Sequence, residues 1–92
     1  MYVVIKLQDF EDCGRIKTRQ RIVRSEGDYN SARIFSTKAE AEKMATECTA
    51  HLNSDIYVQE YREIGRPEFV VRHLSKVKQS VKDQYFNLSY EA

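Results

Sequence analysis

The sequence predicts an α+β fold: a small antiparallel sheet in β-β-α-β order, one helix packed on one face, and an amphipathic helix at the C-terminal end. Over residues 37–52, apolar residues recur at intervals of three and four, which is the spacing of one face of an α-helix. The flanking segments contain β-branched and alternating runs, which are typical of strands. Because such a sheet buries one face under its helix, we expect a single core. Its predicted members are Val3, Ile5, Leu7, Ile22, Phe35, Ala41, Met44, Ala45, Cys48, Leu52, Ile56 and Val58.

The first two strands are predicted over residues 2–8 and 15–24. The first would direct Val3, Ile5 and Leu7 into the core and leave Tyr2, Val4 and Lys6 on the outer face. Residues 9–14 are rich in acidic side chains and end at a glycine, so they are predicted as a turn. Their short length requires antiparallel pairing of the two strands. The second strand alternates, and one of its faces carries four cations: Arg15, Lys17, Arg19 and Arg21.

The middle of the chain leads into the predicted helix. Residues 25–31 have the Gly, Asp, Asn and Ser content of a surface loop, and residues 33–35 are predicted as a short extra strand. The helix follows over residues 37–52. Thr37 and Glu40 can form a capping box at its start. Asn53 tolerates the left-handed conformation and stands where the helix should end.

The last third of the chain is predicted less uniquely. Residues 56–64 read as a third clear strand that Gly65 and Pro67 should break. Residues 68–74 fit either a strand or a helix, and a helix is expected from about residue 75 to about residue 85. An apolar stripe at helical spacing runs through this part: Val70, Leu74, Val77, Val81, Tyr85 and Leu88.

This apolar stripe must be buried somewhere. Three surfaces could cover it: the outer face of the chain's own sheet, a second copy of the chain, or a foreign partner. We favour the first. A homodimer is the second alternative, and it would form through Val70, Leu74, Val77, Val81 and Tyr85.

Length and composition restrict the class of protein. The chain has 92 residues, of which 41% are hydrophobic and 32% charged, and its net charge is +1. We predict one globular domain over residues 1–92, with a core over about residues 1–64 and an extension over about residues 67–92. No apolar run approaches the roughly 20 residues needed to cross a bilayer, and no signal peptide is recognised. We therefore expect a cytoplasmic protein with no membrane partner and with reduced thiols.

Residues that could carry chemistry are few and scattered. Cys48 and His51 lie three residues apart on the predicted helix, but neither a Cys-x-x-Cys nor a His-x-x-x-His pair supports a metal site. Cys13 precedes a run of cations, a setting that activates thiols, yet the sequence supplies it with no dedicated base. The glycines stand alone, so there is no Gly-rich phosphate loop. We predict a protein that is not an enzyme and needs no cofactor.

The second strand carries the one pattern that predicts a function. Cations aligned on one strand face repel each other, so an anion should offset them. The predicted binding residues are Arg15, Lys17, Arg19, Arg21, Lys6, Tyr57 and Tyr61. We expect them to bind an acidic surface of another macromolecule. The alternative is an RNA- or single-stranded-DNA-binding module in which the tyrosine rings stack on bases.

Two structural explanations of the basic strand require no partner. Its cations could pair with Glu60, Glu63 and the acidic residues over 9–12, as solvated ion pairs do. Alternatively, the strand could be a sheet edge that stays charged and so resists aggregation.

Three segments resemble small accessory proteins of tailed phages: the opening Tyr2-Val3-Val4-Ile5, the helix entry over residues 35–42 and the strand over residues 56–60. The resemblance lies in structural motifs, so it transfers no functional residue to this chain. It implies a stand-alone early gene product, a modulator or inhibitor that binds a host macromolecule in the host cytoplasm.

Overall fold

The sheet is built around its first strand. The structure, a computed structural model, describes residues 1–25, 28–52, 59–85 and 87–91. The elements in chain order are β1 (Tyr2–Asp12), β2 (Arg15–Ile22), β3 (Arg24–Ser25), β4 (Asp28–Phe35), α1 (Lys38–Leu52), β5 (Glu63–His73), a 3₁₀ turn (Leu74–Lys76), α2 (Gln79–Lys82) and β6 (Asn87–Glu91). β1 pairs antiparallel with both β2 and β5, and β6 pairs in parallel with β4. The predicted α+β class, with a small antiparallel sheet and one main helix, is confirmed.

The first hairpin is longer and tighter than predicted. β1 continues to Asp12, and only Cys13 and Gly14 form the turn, with φ angles of 52° and 80°. Positive φ at both turn residues is the mark of a type I′ hairpin, whose twist matches that of the strands. The acidic residues stay in the strand because they face polar partners on β2. For example, the Thr18 hydroxyl donates a 2.6 Å hydrogen bond to Asp9.

β5 corrects the predicted third strand. Residues 56–58 lie outside the described residues, and residues 59–62 are not a strand, since Tyr61 and Arg62 form a turn. The strand starts at Glu63 and runs through Gly65 and Pro67, which were expected to end it. These two residues lie in an irregularity where residues 65–67 face the single β1 residue Gln8. A bulge can hold a left-handed glycine and a proline without ending the strand.

Gln8 fills this bulge. Its side chain is 2% exposed, and its Nε2 donates hydrogen bonds of 3.0, 3.2 and 3.1 Å to the carbonyls of Asp9, Ile64 and Gly65. Backbone carbonyls that a bulge removes from the sheet ladder need such a donor when they are buried. The Gln8 Oε1 itself is buried without a partner among the described residues.

Both faces of the sheet are covered, and the helix lies on the face opposite to the predicted one. Val4, Phe35 and Ala41 form a cluster under α1, with Tyr2 and Phe69 packed against it. The other cluster lies on the face predicted for the helix, and it contains Val3, Ile5, Ile22, Ala32, Ile34, Val77 and Val81. The predicted face was wrong because β1 is apolar on both faces, so the alternation of its side chains does not determine which face the helix covers. The predicted core residues Ile56 and Val58 lie outside the described residues.

The C-terminal segment packs on the chain's own sheet, as favoured from the apolar stripe, but it covers the Val3 face rather than the outer face that carries Val4. Val77 and Val81 are 7% and 6% exposed, and the other described stripe residues, Val70, Leu74 and Tyr85, pack against the same cluster. These five side chains therefore contact the chain's own core, and the structure lends no support to a homodimer through them. The helix predicted over about residues 75–85 is wrong: a 3₁₀ turn and the four-residue α2 replace it, and strand β6 follows.

Helix α1 forms where predicted, and hydrogen bonds stabilise both of its ends. The Glu40 backbone N–H donates to the Thr37 hydroxyl oxygen at 3.3 Å, and this hydroxyl donates to the Glu40 carboxylate at 2.9 Å. At the other end, the Arg66 guanidinium from β5 donates to the Leu52 carbonyl. A cation at a helix C-terminus also interacts favourably with the helix dipole.

The assignment of the α1 face is testable. Leu52 is 6% exposed, so Leu52→Ala should lower the free energy of unfolding by roughly 2–5 kcal/mol through loss of packing. Lys43→Ala, on the exposed side of the same helix, should change it by less than about 0.5 kcal/mol. Urea unfolding measures both, and equal losses would show that the face is wrongly assigned.

Candidate anion-binding surface on strand β2

The register of the first hairpin gathers the predicted cations on one face. Lys6 lies directly opposite Arg21, and Asp12 opposite Arg15. Because side chains alternate along paired strands, Arg15, Lys17, Arg19 and Arg21 share a face with Lys6. This is the face of β1 that also carries Val4, so the row of cations lies on the same side of the sheet as α1.

Two of the four β2 cations are paired with acids. Lys17 Nζ lies 2.8 Å from Asp12 Oδ2, and the hydrogen bond and charge of this ammonium hold the pKa of the Asp12 carboxyl below its usual value. Arg19 Nη2 lies 3.2 Å from Glu63 Oε2, whose side chain is 4% exposed. Arg19 also stacks over Phe10 at 5.4 Å. For Lys17 and Arg19, then, ion pairing within the chain is sufficient to explain the charge.

The other predicted acid, Glu60, acts through its backbone. Its N–H donates a 2.8 Å hydrogen bond to Glu63 Oε1, so it fixes the buried carboxylate that Arg19 faces. This leaves three predicted cations, Lys6, Arg15 and Arg21, whose side chains make no ion pair or hydrogen bond with a described residue. These three side chains carry the positive charge that is available to a partner.

The predicted tyrosines do not join this surface as a stacking platform. Tyr57 lies outside the described residues. Tyr61 is 88% exposed, but it lies in the turn before β5 rather than in a strand, with the Arg62 guanidinium 5.4 Å from its ring. The ring opposite Lys6 on β5 is Phe69, and it is half-buried against the α1 cluster.

β2 is a sheet edge in the described part of the chain, because only β1 pairs with it. The Val23 N–H donates to the Val4 carbonyl at 2.9 Å, and hydrogen-bond directions alternate along a regular antiparallel pair. The backbone groups of Ile16, Thr18 and Gln20 therefore point away from β1. The next outward carbonyl, that of Ile22, accepts a 2.8 Å hydrogen bond from the Tyr85 hydroxyl, which closes the edge at that end.

A cavity of about 440 Å³ opens where β2 ends. Its charged lining residues are Lys6, Arg21 and Arg24. Phe69, Cys48 and Tyr85 are among its other lining residues. Arg24 was detectable in the sequence as the last cation of the run without acids. Phe69, Cys48 and Tyr85 were not, because they come from β5, α1 and the C-terminal segment.

The remaining sequence candidates do not assemble into a chemical site in the described residues. Cys13 and Cys48 are free thiols, exposed in the hairpin turn and half-buried on α1. No group of three or more His, Cys, Asp and Glu side chains is placed to hold a metal ion within these ranges. Likewise, none of the described helices is long and apolar enough to cross a membrane.

A comparison with known protein families, curated proteins and solved structures finds no match to this chain.

Proposed function

We propose that this protein is a non-enzymatic binding protein that takes an acidic, extended segment of another protein onto the open edge of β2. One observation carries the proposal: a regular strand, paired over its whole length on one side, presents outward backbone groups and a row of cations together. An added strand would satisfy the backbone groups, and its acidic side chains would meet the cations. Edge addition of this kind is a common mode of peptide recognition.

The chemistry of the edge defines the partner. Side chains of an added strand alternate between the two faces, so its acids should occur at every second position. Those on the α1 side would meet Arg15 and Arg21. Those on the other side would lie beside Ile16, which is 70% exposed, and beside Thr18. The partner is thus a segment in which acidic residues alternate with apolar or hydroxyl residues.

β5 provides a useful contrast, because it also pairs only with β1 in the described part of the chain. Its edge is interrupted by the bulge at residues 65–67, and Pro67 has no N–H to donate. Bulges and prolines are the features by which natural sheet edges avoid pairing. β2 has neither, although its charges also resist pairing with copies of itself.

A charge reversal tests the electrostatic half of the proposal. The probe is a synthetic peptide in which Glu alternates with Thr, and its affinity is measured by fluorescence anisotropy. Arg15→Glu should weaken binding about threefold to tenfold, because Arg15 is exposed and its substitution breaks no ion pair among the described residues. Lys43→Glu, the same change on α1, is the control and should leave the affinity unchanged. Equal losses of affinity in the two variants would show that only the net charge of the protein matters.

A proline substitution tests the backbone half. Ile16→Pro removes one outward N–H without removing a hydrogen bond to β1, so the fold should persist. It should weaken peptide binding by about tenfold or more, because one ladder hydrogen bond is lost and the ring obstructs the added strand. Unchanged affinity would overturn strand addition.

Nucleic acid binding is a distinct outcome of the same assay. Oligouridine should compete, Ile16→Pro should have no effect, and log affinity should fall with log salt by about 0.7 for each phosphate contacted. That combination would replace the proposed function by the RNA- or single-stranded-DNA-binding alternative. The role of a phage-encoded modulator acting in the host cytoplasm rests on the sequence resemblance and stays a prediction.

A further inference from the structure

Two of the cations that line the cavity at the end of β2 lie opposite each other. Lys6 and Arg21 are cross-strand partners, and like charges directly opposite each other destabilise a sheet pair. Neither makes an ion pair with a described residue. Elsewhere on this face a carboxylate offsets the positive charge: Asp12 pairs with Lys17, and Glu63 pairs with Arg19.

The described lining of the cavity supplies no negative charge, because none of these lining residues is Asp or Glu. Arg24 also lines the cavity, but it already interacts with another part of the chain. Two lining groups could become anions by losing a proton, the Cys48 thiol and the Tyr85 hydroxyl. Burial raises the pKa of both, so they stay neutral near neutral pH. The described lining therefore offers Lys6 and Arg21 no negative charge.

The rest of the wall is suited to a flat apolar group. Phe69 lies opposite Lys6 on β5 and is half-buried, so its ring is held in place by the α1 cluster. The Tyr85 ring is fixed by the hydrogen bond from its hydroxyl to the Ile22 carbonyl. A volume of about 440 Å³ is within the range of small-ligand sites, which typically run from about 300 to 1,000 Å³.

We propose that this cavity is a binding site for a small phosphorylated ligand that bears an aromatic ring, with the phosphate between Lys6 and Arg21 and the ring beside Phe69. A phosphate dianion offsets the two facing cations, and Arg21 can donate two parallel hydrogen bonds to its oxygens. The site shares Arg21 with the β2 edge, but it requires no protein partner.

Phenyl phosphate is the probe, because it joins a phosphate to an aromatic ring. In a ¹⁵N-labelled NMR titration it should shift the backbone amides of Arg21, Arg24 and Phe69. It should bind more tightly than inorganic phosphate or phenol, which carry one half of the ligand each. If inorganic phosphate binds as tightly as phenyl phosphate, or no shifts appear at millimolar concentration, the proposal is overturned.

Matched variants separate a site from a basic surface. Arg21→Gln, at an exposed position, should weaken phenyl phosphate binding about tenfold to a hundredfold through loss of charge-assisted hydrogen bonds. Lys6→Gln should act in the same direction. Arg15→Gln, on the same face near the other end of β2, should leave the affinity unchanged, and an equal loss there would refute the site.

The two functions fail separately in these assays. Ile16→Pro should weaken strand addition and leave phenyl phosphate binding intact, because Ile16 is far along the strand from the cavity. If the alternating peptide does not bind but phenyl phosphate does, the proposed function fails and the ligand site stands.

Discussion

Val81→Asp should unfold the protein under conditions in which the unsubstituted chain is stable. Val81 is 6% exposed and belongs to the cluster that contains Val3, Ile5 and Ile34. An unpaired carboxylate in this cluster should lower the free energy of unfolding by roughly 4 kcal/mol or more. A domain of this size is stable by only about 5–15 kcal/mol, so most of that margin is lost. Urea unfolding followed by circular dichroism measures the loss.

Ser80→Asp is the matched control for this variant. Ser80 is the neighbouring residue of α2 and is exposed, so the same introduced charge should cost less than about 0.5 kcal/mol there. Deleting residues 74–92 should have the same consequence as Val81→Asp, because it uncovers the Val3 face. A truncated chain that sediments as a stable, unaggregated species would show that the C-terminal segment is dispensable.

Gln8→Glu should produce a large and pH-dependent loss of stability. The Gln8 amide donates to three backbone carbonyls in a buried bulge, and an ionised carboxylate has no hydrogen to donate. Repulsion between oxygens and the loss of solvation should together cost at least about 3 kcal/mol at pH 7. Urea unfolding over a range of pH measures this.

The pH dependence follows from the pKa of the introduced carboxyl. Burial and the carbonyls disfavour its charged form, so its pKa in the folded state is raised above the value of about 4.3 in the unfolded chain. The penalty relative to the unsubstituted protein should therefore be smallest below about pH 4. It should grow as pH rises through the raised pKa, by up to about 1.4 kcal/mol per pH unit.

Gln20→Glu serves as the control, since Gln20 is half-buried on β2 and forms no hydrogen bond through its side chain to a described residue. It should show a smaller loss with little pH dependence. If Gln8→Glu loses the same stability at every pH, the introduced carboxyl is solvated and the bulge opens to water.

The sequence by itself determined the elements whose causes are local. α1 was predictable because its capping pair, Thr37 and Glu40, and its apolar spacing lie within one segment. The common face of Arg15, Lys17, Arg19 and Arg21 was predictable because side chains alternate with a period of two in any strand. The same holds for the antiparallel pairing of β1 with β2, which follows from the short connection.

Tertiary structure decided the features in which distant segments compete for the same surface. β1 is apolar on both faces, so only packing could assign Val4 to α1 and Val3 to the C-terminal segment. Pro67 continues a strand because Gln8, from far away in the sequence, supplies the donor that its bulge requires. Local patterns could not reveal either arrangement.

The candidate site divides in the same way. Its row of cations could be predicted from the sequence. The pairing of Arg19 with Glu63 could not, because it depends on how β5 lies beside β1. The cavity draws Arg21, Phe69 and Tyr85 from three separate segments. Its position follows from long-range burial and hydrogen bonding, whose free energies arise only once those segments meet, so no local pattern in the chain encodes it.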